Sequence, residues 1–375
     1  MTDFLSPLLD LAIAIQQIPA PTFQEQKRAE FMRQRFLAEG LSDVALDPAG
    51  NVFARLPSVT RHSSPVTRHS SPVTRPLVIT AHLDTVFPES VELTLRRAPE
   101  HLCGPGIGDN ALGLAGLIGL VCALRARDIH LAGDLWLAAN VSEEGLGDLR
   151  GMKAVVERFG SEPRAYLVLE GMALGHVYHR ALGVRRYRIT VRTAGGHAWV
   201  DYGQPSAIHE LTRLAAELTA LRLPKSPRTT LNVGKISGGI SVNTIASEAA
   251  LELDLRSEVV EALNETARRV ESLARGAQRA GVTVEIQVVG ERPAGEIPAG
   301  HPLVRLAQEC LSAQGVTSKL NIGSTDANIP LSRGLPAVAI GLTTGGGAHT
   351  VHEYINVEPL GKGVEALVGV VSSVQ

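Results

Sequence analysis

Three nearly continuous apolar runs constrain this chain more than any other feature: PLVITAH (76–82), LWLAANV (135–141) and AYLVLEG (165–171). A strand with one wet face alternates polar and apolar residues. These do not, so both of their faces must be covered. Helix-length segments separate them, one at 111–126 and another around 151–159. The pattern predicts an α/β fold, with a mostly parallel sheet flanked by helices. The apolar run 111–124 is rich in Gly and Ala and too short to span a bilayer, so it reads as a buried helix and no membrane partner is expected.

In such sheets the chemistry gathers beyond the carboxyl ends of the strands. The first run ends in His82 and Asp84, the second in Ser142, Glu143 and Glu144, the third in Glu170. A strand near 337–341 leads into GGGAHTVHE (345–353), with His349 and His352. Asp109 stands in a Gly-rich loop, GPGIGDN (104–110), just before the buried helix. Carboxylates gathered at one sheet edge repel each other unless a cation balances them. Two histidines with three or more carboxylates match the donor set of zinc, and also suit cobalt or manganese. A rival reading takes GxGxxA (106–111) as a dinucleotide fingerprint. That fingerprint needs a strand immediately before it, where this chain has PEHLC (99–103), and it leaves His82, Glu143 and His349 unexplained. No GxSxG elbow supports a serine hydrolase.

Around residue 184 the texture changes. RRYRITVRTAG (185–195) alternates polar and apolar residues, as a half-exposed strand does. The order that follows is strand 185–194, helix 205–221, strands 230–237 and 247–256, helix 258–279, strand 282–289. That is the split βαββαβ order of a ferredoxin-like domain. After GEIP (295–298) the first texture returns. The expected organisation is a metal-binding catalytic domain from 1–183 and 293–375, with an α+β domain, 184–292, inserted in it. A length of 375 residues suits two domains.

Smaller features complete the reading. TFQE (22–25) has the form of a capping box opening a helix that ends at Gly40, and DPAG (47–50) forms the turn of a hairpin whose second strand is VFARL (52–56). VTRHSSP occurs twice in tandem and begins a third time within 59–75. This polar, Pro-bearing insertion cannot bury a core and is expected to be a low-complexity, exposed, mobile loop. Lys plus Arg (36) nearly balances Asp plus Glu (38), which gives no reason to expect nucleic acid as a partner. The first residues carry no basic n-region, so no signal peptide is expected. Three scattered cysteines, Cys103, Cys122 and Cys310, suggest a reducing compartment, and hence the cytoplasm.

Taken together, HLDT (82–85), GxGxxD (104–109), SEEG (142–145), EG (170–171), GGH (195–197), GGxxxN (238–243), LDLR (253–256), STDA (324–327) and HxxxE (349–353) resemble the dinuclear zinc exopeptidase and deacylase family. That family includes carboxypeptidase G, acetylornithine deacetylase, succinyl-diaminopimelate desuccinylase, aminoacylase and peptidase T. The motifs cover most of the chain in the family's order. The resemblance implies two divalent ions, with His82, Asp109 and Glu170 holding one, Asp109, Glu144 and His349 the other, and Asp109 bridging. Asp84 would orient the His82 imidazole, and Glu143 would act as general base toward a metal-activated water that attacks the amide carbonyl. The inserted domain would be a lid and dimerisation domain. From it His197 would stabilise the oxyanion across a homodimer, while Asn243 and Arg256 bind the substrate carboxylate. Ser324, Thr325 and Asp326 would line the pocket, and His352 would be a non-ligand neighbour. A cis peptide bond is expected after Asp109. Many relatives carry Lys two residues after the bridging Asp, where this chain has Ala111.

Aminopeptidases of that family tend to have Asp at the position of Glu170, while carboxypeptidases and deacylases tend to have Glu. The expected activity is therefore hydrolysis of amide bonds in short peptides or N-acyl amino acids, carboxypeptidase or deacylase in type. A tripeptidase or aminopeptidase is the alternative, favoured by TTLNVGK (229–235). A catalytically inactive metal- or peptide-binding protein is the alternative of another class, marked by loss of Glu143 or a ligand, and none is lost here.

Overall fold

The apolar runs become the centre of a large sheet in the computed structural model, which describes residues 2–58 and 75–374. Apart from Arg75, the repeat expected to form a mobile loop lies outside the described residues. Leu77–His82 runs parallel to Leu135–Asn140 on one side and Tyr166–Glu170 on the other, and Ala337–Gly341 adds in parallel beyond. Leu77–His82 and Ala337–Gly341 are buried along their whole length, which is why their sequences do not alternate. The flanks are antiparallel: Val52–Leu56 and Ser42–Leu46 on one side, His176–Ala181 on the other. The expected hairpin turn is present, with Asp47 Oδ1 accepting from Gly50 and Asn51.

Parallel pairing decides where the chemistry goes. His82 stands opposite Asn140 and Glu170 opposite Gly341, so four chain segments leave the sheet at one edge. The helix Leu112–Ala126 packs against this sheet, hard up to it. A Cβ at Gly116 would stand 2.3 Å from Leu342 Cδ1, which makes Gly worth its helix-propensity cost of about 1 kcal/mol there. Among the described residues, Ile107–Ala126 is the one helical stretch long and apolar enough to cross a membrane, and it is mostly buried within the fold.

The chain divides into two compact units, Met1–Arg180 with Glu296–Gln375, and Ala181–Gly295. In the second, four antiparallel strands follow the order Thr229–Gly238, Glu248–Ser257, Gly183–Arg192, Thr283–Arg292. Strand, helix, strand, strand, helix, strand is the observed succession, with helices Ala207–Thr219 and Val260–Gly276. Tyr187, Ile189, Val191, Leu251, Leu253 and Leu255 form one side of its core, and Leu211, Leu214, Leu263 and Val270 of the helices the other. The intervening strand positions carry cross-strand ion pairs: Arg186–Asp254 (2.9 Å), Arg188–Glu252 (3.0 Å) and Arg192–Glu248 (2.8 Å). The last strand runs to Arg292, beyond the 289 expected, because an irregularity between Val288 and Gly290 lets it resume pairing where the alternation breaks.

Candidate metal centre

Every segment that leaves the carboxyl edge of the large sheet contributes to one cluster. His82, Asp109 and Glu170 form one group of donors whose ligand atoms lie within 4.8 Å of one another, and Asp109, Glu144 and His349 form a second. Asp109 belongs to both, one oxygen to each side. Its Oδ1 lies 3.0 Å from His82 Nε2 and its Oδ2 lies 3.2 Å from His349 Nε2. Glu170 Oε2 is 3.8 Å from His82 Nε2, and Glu144 Oε1 is 3.1 Å from His349 Nε2. Glu143 joins His82 and Glu144 in a third group. The His82 side chain is 1% exposed and that of His349 54%, so the cluster is closed on one side and open to solvent on the other. His352 belongs to none of these groups among the described residues.

Backbone geometry places these side chains with little freedom. The Asp109–Asn110 peptide is cis, as the resemblance implies. Asn110 links the loop to the third strand: its Nδ2 donates to the Leu169 carbonyl (2.8 Å), and its Oδ1 accepts from Gly171 (3.1 Å). Ser142 (φ 58°) and His349 (φ 64°) are left-handed, a strain of about 1–3 kcal/mol each that persists only where surroundings impose it.

Asp84 faces the His82 imidazole and also braces a neighbouring loop. His82 Nδ1 is nearer to the Asp84 main-chain carbonyl (3.0 Å) than to its carboxylate (3.5 Å). The carboxylate also accepts from the backbone N–H groups of Glu143 and Glu144, both at 2.9 Å, and from Thr22 Oγ1 (2.9 Å). Two residues that sequence reasoning left without a site role also appear. TFQE is no capping box: the Glu25 carboxylate accepts from Ser142 N (3.0 Å) and Ser142 Oγ (3.1 Å), and no side chain caps the helix Gln26–Ala38. Glu353 accepts from Gly106, Gly108 and Asp109. The short strand His101–Cys103 just before this loop pairs antiparallel with Tyr354–Asn356 in a separate small sheet, which is not the setting of a dinucleotide fingerprint.

The electrostatics ask for a cation. Burial drives the Glu170 carboxyl well above its ordinary value; His82 opposes this, while Asp109, Glu143 and Asp326 push the same way. Burial would lower His82, yet hydrogen bonds to Asp109 and Asp84 and the charges of Asp109 and Glu143 hold it well above its usual range. Its hydrogen bonds to Asp109 and Glu144 raise His349 to about 10. The raised Glu170, His82 and His349 mark a site crowded with carboxylates and imidazoles, and that oxygen-and-imidazole set fits divalent zinc, cobalt or manganese.

Of the remaining predicted residues, Asp326 is buried in the large unit and accepts from Asn140 Nδ2 (2.7 Å). Thr325, next to Ser324, uses its hydroxyl to accept from Ala327 N (3.2 Å). His197, Asn243 and Arg256 belong to the smaller unit. His197 and Asn243 lie in adjoining loops, since His197 pairs with Thr244 and the Asn243 carbonyl accepts from Ala198. Arg256 is ion-paired with Asp254 (2.8 Å).

A mostly parallel sheet with a carboxylate shared by two donor groups at its carboxyl edge is the setting of a two-metal site. The profile of peptidase family M20/M25/M40 matches residues 78–373, and the chain belongs to that family, as a metal-dependent hydrolase of peptide bonds. The uncharacterized protein YqjE of Bacillus subtilis (strain 168) is 23% identical over 380 residues, covering 97% of each chain. A tripeptidase from Staphylococcus aureus superposes with a TM-score of 0.80 at 21% identity, covering 99% of this chain and 98% of the other. The aminopeptidase PepT from Bacillus cereus does so at 0.76 and 22%, with the same coverage.

Proposed function

We propose that the chain is a two-metal exopeptidase or deacylase, cleaving the amide bond of short peptides or N-acyl amino acids. The observation that carries this reading is Asp109, with one carboxylate oxygen in each of two donor groups. His82, Asp109 and Glu170 would hold one divalent ion, zinc in the first instance, and Asp109, Glu144 and His349 the other. When bound, the ions lower the pKa of water toward neutrality and polarise the scissile carbonyl. Glu143 takes up the proton of the attacking water and delivers it to the leaving nitrogen. Its backbone N–H is anchored on Asp84, which fixes where its carboxylate can stand.

His197 supplies the oxyanion donor in this reading. Its Nδ1 accepts from Trp199 N (3.2 Å) and Val200 N (3.3 Å), which puts the proton of the neutral ring on Nε2, facing outward as a donor. The smaller unit serves as lid and dimerisation domain, and His197 and Asn243 act in the site of a second copy. Trp199, Tyr202, Ile240 and Val242, all highly exposed beside them, suit such a contact. The three free cysteines suit a reducing, cytoplasmic setting.

Glu170 favours the carboxypeptidase or deacylase type. A tripeptidase reading has its own support, because Arg256, the expected clamp for a substrate carboxylate, is engaged by Asp254. The deciding experiment loads the protein with zinc, cobalt or manganese and compares hydrolysis of N-acetyl and N-succinyl amino acids, dipeptides and tripeptides. Activity on N-acyl amino acids supports the first type. Activity confined to peptides with a free amino end moves the assignment to the second, and no metal-dependent hydrolysis of any of them defeats both.

A further inference from the structure

We infer that Glu353, which belongs to neither donor group, is the positioning residue for the shared carboxylate Asp109, and that it ties the two groups into one centre. The inference rests on the two-ion reading above. Glu353 is wholly buried, and its side chain accepts three backbone hydrogen bonds from one short loop. Oε1 takes Gly108 N at 2.7 Å and Asp109 N at 2.8 Å, and Oε2 takes Gly106 N at 3.2 Å. The Glu353 main-chain carbonyl also accepts from Gly104 (2.8 Å). Four N–H groups between residues 104 and 109 therefore end on one residue. The loop has little room to settle elsewhere, because a Cβ at Gly108 would stand 2.3 Å from Met172 Cγ.

Glu353 also follows His349 by four residues. One chain segment thus carries a donor of the second group and the anchor of the residue common to both. Pairing of Tyr354 with Cys103 and Ile355 with Leu102 locks that segment to the approach of the Asp109 loop. With the Asp109 backbone held so, its two oxygens face His82 and His349 at once. Three donors converging on two oxygens require an acceptor-only group of this length. Gln would set its NH₂ against the Gly106 N–H, and Asp would fall short by one carbon–carbon bond, about 1.5 Å.

The test is Co²⁺ titration of metal-free wild type, Glu353→Gln and Glu353→Asp, reading stoichiometry, affinity and the visible spectrum of the folded protein. Groups that orient metal ligands typically change affinity by about 10–100-fold when replaced. We expect Glu353→Gln to bind about 10-fold more weakly, Glu353→Asp about 100-fold, each with an altered Co²⁺ spectrum. Lower thermal stability with unchanged affinity and spectrum would make Glu353 merely structural and overturn the inference. Amide exchange of the metal-free wild type decides the matter even if neither variant folds: Gly108 and Asp109 must be protected, and free exchange in the folded chain overturns it. Uptake of two ions by the wild type with unchanged binding in both variants defeats this inference alone. No uptake by the wild type defeats the two-ion reading and the inference with it.

Discussion

The donor cluster of the large unit and the His197 loop of the smaller one are built on opposite plans. In the cluster, the loops bearing Glu143 and Glu144, Glu170, and Asp109 are tied down by buried groups that are not themselves donors: Asp84 for Glu143 and Glu144, Glu25 for Ser142, Asn110 for Gly171, Glu353 for Asp109. Around His197 the side-chain hydrogen bonds are local, its N–H donating to Asp201 and its Nδ1 accepting from Trp199 and Val200, and the side chains of Trp199 and Val200 face solvent. A buried loop must find acceptors for its N–H groups inside the protein, and carboxylates supply them in fixed directions. An exposed loop has water for that purpose, and its apolar residues are left for another surface to cover. The first plan makes a charge-holding cluster within one unit, and under the proposed function the second leaves the His197 donor to a second copy.

Glu143→Gln should break the first plan at its chemical end. We expect kcat to fall by roughly 10²–10⁴-fold with metal content unchanged, measured by initial rates and metal analysis of the same samples. Loss of metal instead would exchange the roles of Glu143 and Glu144.

His197→Ala probes the second plan. Removing an oxyanion donor costs roughly 10²–10³-fold in kcat, while metal affinity and Tm should stay at wild-type values because the side chain is exposed. Mixing this variant with Glu143→Gln should restore part of the activity, because some mixed dimers contain one intact composite site. No recovery after verified subunit exchange would remove the second copy from catalysis.

Glu25→Ala tests the brace. It leaves Ser142 N–H and its hydroxyl without their buried acceptor, a cost of about 1–3 kcal/mol in unfolding free energy by denaturant titration. Hydrolysis should weaken as well, since Ser142 precedes Glu143. A stability loss with kcat unchanged would mean that the loop holds its shape without Glu25. The smallest effect is expected from Arg192→Ala on the charged face of the smaller unit. Its ion pairs to Glu248 and Glu285 are exposed, so the shift of the denaturant midpoint should be barely resolvable and shrink further in high salt.

The donors were legible in the sequence because each stands at a recognisable place: after an apolar strand for His82, Glu143, Glu144 and Glu170, in a Gly-rich loop for Asp109, after a Gly run for His349. Strand periodicity and residue chemistry are local properties, and parallel strands bring their ends together without further instruction. The two-unit texture was legible for the same reason, since continuous apolar strands give way to alternating ones near residue 184. The braces were not. Glu25 had the local form of a capping residue, and only the fold sets it against Ser142, 117 positions away. Arg256 had the chemistry of a carboxylate clamp, but Asp254 stands two residues before it on the same face of one strand, a pairing that the period of two itself makes legible.

The sequence by itself therefore determined which groups could hold a cation and at which edge of a sheet they would emerge. Tertiary structure decided which carboxylates serve as donors and which serve as scaffolding. Glu353 and Glu170 are the same residue type. One meets three backbone N–H groups from a loop 244 to 247 positions away, the other meets His82, and no local pattern distinguishes them. The physical reason is that a carboxylate takes its role from the donors around it, and in a folded chain those donors come from distant segments brought together by burial.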